Sequence, residues 1–186
     1  MLLCRAVAVR LEKFGQATID ALGKESVATA FRSVKKANDN FSKMLEPVRA
    51  GVAFSVEIVN DDEKDKKFFR FHVRVIDKSS VGSVEQNDVF LAPKAEENMG
   101  GFAGAVKGAV LEKGCAKMQG IGVESVNRLI KTVARMNRYL AEDVSTEKRP
   151  DSIAIWAFPG IMDPEESGSD KKLAASFVEL AAGPAL

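Results

Sequence analysis

The stretch ALGKESVATAFRSVKKANDNF at residues 21–41 returns as GIGVESVNRLIKTVARMNRYL at residues 120–140. The spacing is a constant 99 positions, so that Gly23 meets Gly122, Glu25 meets Glu124, Ser26 meets Ser125, Val27 meets Val126, Val34 meets Val133 and Asn38 meets Asn137. Other pairs keep their chemistry, as in Leu22/Ile121, Phe31/Ile130, Arg32/Lys131 and Lys36/Arg135. Two amphipathic helices share apolar spacing by default. They do not by default share G-x-E-S-V and an asparagine. Upstream, Leu11-Glu12-Lys13 sets itself against Leu111-Glu112-Lys113, which places one extra residue in the turn after the first copy. Downstream, VAFSVEIVN (52–60) and FFRFHVRVI (68–76) match SIAIWAFPGI (152–161) and LAASFVEL (173–180), each pair separated by a charged turn. The period far exceeds the roughly 20–50 residues of solenoid repeats. The expectation is a tandem pair of domains, residues 1–78 and 88–186, joined by a short polar linker at 79–87.

The second copy reads as strand, helix, strand, helix, strand, strand. Residues 88–93 are a short β-rich run and 100–113 a helix of small residues. Residues 116–121 are strand-like, 123–141 form the long helix, and the last two runs make a hairpin. A strand–helix–strand start implies a parallel pair with a right-handed crossover. The fold class is therefore α+β, each unit a small mixed sheet with two helices on one face. In the first copy the helix begins at or near Met1, so no strand precedes it. One edge of that sheet is expected to be vacant. Open edges invite pairing, so the other copy, the C-terminal tail or another chain should cover it. A strand within residues 1–10 would overturn this.

Composition narrows the function classes. No apolar run approaches the roughly 18 residues of a membrane span. Cys4 and Cys115 are isolated, which argues against zinc and disulfides and fits a reducing, intracellular compartment, cytoplasmic or nuclear. Net charge is +1, so any polyanion site must be a local patch. There is no G-x-G-x-x-G after a strand and no G-x-x-x-x-G-K-S/T. His72 is the single histidine, with no evident serine or cysteine partner. Neither catalysis, cofactor, metal nor small-molecule substrate is expected.

Several features bear two readings. Arg128, Lys131, Arg135 and Arg138 share one stripe of the long helix. They are either phosphate contacts or a solvated face. The matched first-copy positions, Thr29, Arg32, Lys36 and Asp39, make a weaker stripe. Arg70, His72 and Arg74 alternate with apolar residues and occupy one sheet face, as a basic surface or as ordinary strand polarity. Gly100 and Gly101 open a helix, either as an anion site or, with Gly104, Ala105 and Gly108, for close packing on the sheet. Trp156 and Phe158 are either a base-stacking platform or part of a central or interface strand.

The segments APKAEENMGGFAGAVKGAVLEKG (92–114), AKMQGIGVESVNRLIKTVARMNRYLAED (116–143) and DSIAIWAFPG (151–160) resemble the stage V sporulation protein S family, within the wider Alba-like group. The first copy resembles a shortened version. The resemblance implies a βαβαββ fold that binds nucleic acid as a dimer, here a fused pseudo-dimer. It also implies backbone contacts from the loop after the first strand, the glycine turn and the last hairpin. Those regions carry Lys94, Gly122, Lys171 and Lys172 in the second copy, and Gly23, Lys24, Lys64, Lys66 and Lys67 in the first. The turns read G-K-E-S and G-V-E-S, placing Glu25 and Glu124 where chromatin-type Alba proteins carry arginines. Two functions follow as expectations: a sequence-tolerant RNA- or DNA-binding protein, or a non-catalytic interaction module that has lost that surface. Self-association through the open edge is a further expected contact, and no membrane contact is expected.

Overall fold

The computed structural model describes residues 2–44, 50–61, 65–77, 89–93, 98–145, 153–162 and 175–185. The proposed linker at 79–87 lies outside them. In the first half, helix α1 (Leu2–Phe14) leads to strand β1 (Gln16–Ala21), helix α2 (Lys24–Met44) and strands β2 (Ala50–Asp61) and β3 (Lys66–Asp77). In the second half, strand β4 (Val89–Leu91) precedes helix α3 (Met99–Lys113), strand β5 (Cys115–Gly120), helix α4 (Gly122–Ser145) and strands β6 (Ile153–Met162) and β7 (Ala175–Pro184).

These elements follow from residue spacing. The β1 sequence QATIDA alternates, with Ala17, Ile19 and Ala21 buried and Gln16, Thr18 and Asp20 exposed. In α2 the apolar stripe Val27, Phe31, Val34 and Ala37 is buried; in α4 it is Val126, Ile130, Val133 and Leu140. Between each of β1 and β5 and the helix that follows stands a left-handed glycine, Gly23 (φ 78°) or Gly122 (φ 85°). A Cβ is disfavoured in that conformation. The shared G-x-E-S-V is therefore a strand-to-helix turn with the first helical turn behind it.

The strands form one seven-stranded sheet in the order β1-β3-β2-β6-β7-β5-β4. The small sheets expected for each half merge where β2 and β6 run antiparallel, with Phe54 opposite Ala157. Only β4 and β5 pair in parallel, so the first half, lacking a strand before α1, has no parallel pair among the described residues. All four helices pack on one face, where Phe54, Phe71, Ile155 and Val178 join Val7, Phe31, Val106 and Ile130 in a single core. Phe54 lies edge-on to Phe31 at 6.2 Å and tilted against Phe71 at 5.4 Å. The opposite face holds a smaller cluster of Ala53, Ala154, Trp156, Phe158 and Ala181. Trp156 is buried there, donating its Nε1–H to the Pro184 carbonyl at 2.8 Å, so β6 is the central strand.

One sequence expectation needs correction and another is narrowed. The extra residue placed after the first helix is absent. The Gly15 N–H donates to the Leu11 carbonyl and the Gly114 N–H to the Val110 carbonyl, each at 2.9 Å. Buried Val7 and Leu11 likewise stand in register with buried Val106 and Val110. Leu11 thus corresponds to Val110. The Leu-Glu-Lys match was misleading because Glu12, Lys13, Glu112 and Lys113 are exposed, where packing fixes no residue. The expectation of a vacant edge is narrowed: β1 ends the sheet, and among the described residues neither the second half nor the C-terminal strand pairs with it, because β7 lies between β6 and β5. Residues 2–14 are helical, so no strand precedes β1 among the described residues.

Candidate nucleic-acid interface

The two glycine turns deliver α2 and α4 to one place. Lys24, in the first turn of α2, donates to Glu124, in the first turn of α4, at 2.5 Å. The hydrogen bond from Lys24, and then its charge, pull the Glu124 carboxyl below its usual range; the same contacts push Lys24 upward. Arg128 and Lys131 add weaker attraction on Glu124. Both partners remain largely exposed, so solvent screens the pair and its value to stability is small. Leu22 and Ile121, the residues before the glycines, are exposed in both halves. Helix N-termini present N–H groups and positive dipole ends.

The turn end of the β2–β3 hairpin, where Asp61 pairs with Lys66, lies beside the first glycine turn. An open cleft of about 360 Å³ is lined by Asp20, Ala21, Leu22, Asp61, Lys66 and Phe68. Lys66 and Lys67 are exposed at the start of β3. Lys24, Lys66 and Lys67 therefore belong to one end of the first half, next to two aspartates. Lys64, Lys94, Lys171 and Lys172 lie outside the described residues.

The basic stripe on α4 is placed differently from an open helix face. Arg128 is half-buried and donates to the Pro93 carbonyl at 2.9 Å. Arg135 is half-buried beside Gly100 at the start of α3, and Lys131 is half-buried between them on the helix. Arg138 is exposed and paired with Glu142 at 3.0 Å. The α2 stripe, weaker by sequence, is the more accessible one: Arg32 and Lys36 are exposed one turn apart. The difference lies in packing: Pro93, just after β4, takes up Arg128, and among the described residues no segment plays that part on α2.

On the face without helices, Arg70, His72 and Arg74 share one side of β3, as their alternation implies. Each has a partner. Arg70 makes a two-pronged contact with Asp20 at 2.8 and 3.0 Å. His72 meets Glu57 at 3.0 Å, and Arg74 stacks 5.4 Å from the Trp156 ring. Gly100 has close neighbours in Tyr139 and Arg135, but Gly101, Gly104 and Gly108 face open space, so they do not serve close packing on the sheet. Among the described residues no three His, Cys, Asp or Glu side chains are grouped to hold a metal, and no helix is long and apolar enough to cross a membrane.

Sequence reasoning recorded Asn38 and Asn137 only as an identity. In the structure Asn38 Oδ1 accepts from the Val52 N–H at 2.9 Å and Asn137 Oδ1 from the Ile155 N–H at 2.7 Å. Their invariance across the echo, on otherwise apolar helix faces, was the available signal.

No curated protein matches the chain significantly. The family model of stage V sporulation protein S matches residues 91–164, so the second half of the chain, from the end of β4 through β6, is similar to that family.

Proposed function

We propose that the chain is a tandem pair of like units acting as a fused pseudo-dimer that binds RNA or DNA through its backbone, without catalysis. One observation carries this reading: two helix N-termini, each behind a left-handed glycine, meet at Lys24 and Glu124. This contact brings the first turns of the two helices within side-chain reach of one another, and N–H groups at helix N-termini favour phosphate. Lys66 and Lys67 extend the same end of the first half. The Lys24–Glu124 bond holds the cation in cis and sets the affinity low.

Fluorescence-anisotropy titration with RNA and DNA at low and moderate salt tests this. Glu124→Gln releases Lys24, and binding at low salt is expected to strengthen several-fold. The salt dependence should steepen by up to about 0.9 per added duplex phosphate contact, or about 0.7 for a single strand. Lys66→Glu with Lys67→Glu should weaken binding and flatten that slope. Absence of binding by the unaltered chain at low salt, where phosphate contacts are strongest, sinks the reading.

A second reading, a protein-interaction module, is favoured by the internal pairing of cations. Arg70 is held by Asp20, Arg128 by Pro93 and Lys107 by Asp143 at 2.6 Å.

A further inference from the structure

The second half shows what stands beside β5, and the first half leaves the same position beside β1 empty among the described residues. β4 runs parallel to β5, pairing Val89, Phe90 and Leu91 with Lys117, Met118 and Gln119. Phe90 reaches over to α3 and meets Phe102 edge-on at 6.1 Å. At the 99-residue spacing Phe102 corresponds to Leu3, and Leu3 is 36% exposed. The core residues of β5 facing that flank, Ala116 and Met118, are 0% exposed; their β1 counterparts, Ala17 and Ile19, are 9% and 8% exposed.

The outer face of α1 also differs from that of α3, although β4 leaves that face of α3 uncovered. Where α3 shows solvent Gly101, Ala105 and Gly108, α1 shows Leu2, Ala6 and Val9. Leu2 and Val9 thus stand exposed on the helix that packs on β1, whose outer edge is unpaired among the described residues. Arg5, Arg10 and Lys13 border that face against a single Glu12. A second copy docked edge to edge would set two such like-charged helices against one another.

We propose that the β1 edge and the flank of α1 receive an extended segment of another polypeptide. It runs parallel to β1, with a bulky apolar side chain over Leu3 and acidic residues near Arg10 and Lys13. Main-chain hydrogen bonds to β1 supply affinity and the part-exposed apolar surface at Leu3 supplies selectivity. The chain's own segment EQNDVFLAP (85–93) has this chemistry, with Glu85 and Asp88 ahead of Val-Phe-Leu.

The test is an NMR titration of the ¹⁵N-labelled full chain with a blocked synthetic peptide of residues 85–93. Shifts and slowed amide exchange are expected along Gln16–Ala21. A Phe90→Asp peptide should leave them unmoved. Leu3→Glu in the chain should weaken the peptide roughly tenfold or more, with an unchanged melting temperature showing that the variant folds. Shifts confined to Lys117–Gln119 overturn the proposal, because the peptide then only displaces β4. A chain that sediments as a dimer with β1 amides already protected also overturns it, in favour of a second copy as occupant. No shift at β1 overturns it outright. None of these outcomes involves nucleic acid, so they stand apart from the test of the proposed function.

Discussion

Replacing Asn137 with alanine is expected to lower the free energy of unfolding by roughly 2–5 kcal/mol. The β2–β6 junction pairs Phe54 with Ala157, and Asn137 of α4 binds both strands there. Its Nδ2 donates to Ser55 Oγ at 2.8 Å and to the Val56 carbonyl at 3.0 Å, while its Oδ1 accepts from the Ile155 N–H at 2.7 Å. Ser55, fully buried, donates to the Ile155 carbonyl at 2.7 Å and completes the ring. Alanine leaves a buried N–H and a buried carbonyl without this partner, and each such group costs about 1–3 kcal/mol. Against a total stability of about 5–15 kcal/mol the loss is large. Asn137→Asp should do comparable damage, because an ionised carboxylate accepts and cannot donate. Urea unfolding followed by Trp156 fluorescence and by circular dichroism checks this. The two probes should separate if the halves part company before each unfolds. An unfolding free energy within about 0.5 kcal/mol of that of the unaltered chain would mean that the network holds nothing together.

Phe54→Ala is expected to cost about 3–5 kcal/mol. Phe54 is fully buried, stands opposite Ala157 and touches the rings of Phe31 and Phe71. The small alanine across the junction leaves nothing to fill the vacated volume, so the cavity term applies in full. For a chain of this size about 2–4 °C is lost per kcal/mol, which gives a fall in Tm of roughly 6–20 °C. Calorimetry reads it directly. Phe54→Leu should recover most of the loss. Since Phe54 and Asn137 serve one junction, the double variant should lose less than the two losses added. Strict additivity would show that they belong to separate cooperative units.

Much of this molecule was legible in its residues. The apolar stripes of α2 and α4 and the alternation of β3 gave the buried faces, because burial repeats with the geometry of each element. Gly23 and Gly122 marked the strand-to-helix turns, because a backbone conformation restricts which residue can occupy it. The helical character of residues 2–14 was readable from where the first apolar stripe begins. The charges were less legible. Arg128 looked like an open cation and is held by Pro93; Arg70 looked exposed and is clasped by Asp20. Spacing tells which face a side chain occupies. It does not tell what stands opposite, since that contact comes from residues distant along the chain.

The sequence by itself determined the elements, their order and the echo of one half in the other, all of which rest on local spacing and backbone preference. Only the tertiary structure decided that β2 and β6 fuse two small sheets into one, that Lys24 meets Glu124 where the glycine turns converge, and that β1 ends the sheet among the described residues while β4 covers the matching edge of β5. Those outcomes depend on which buried faces and unpaired strand edges find one another in space. Side chains and edges nearly a hundred residues apart settle that competition.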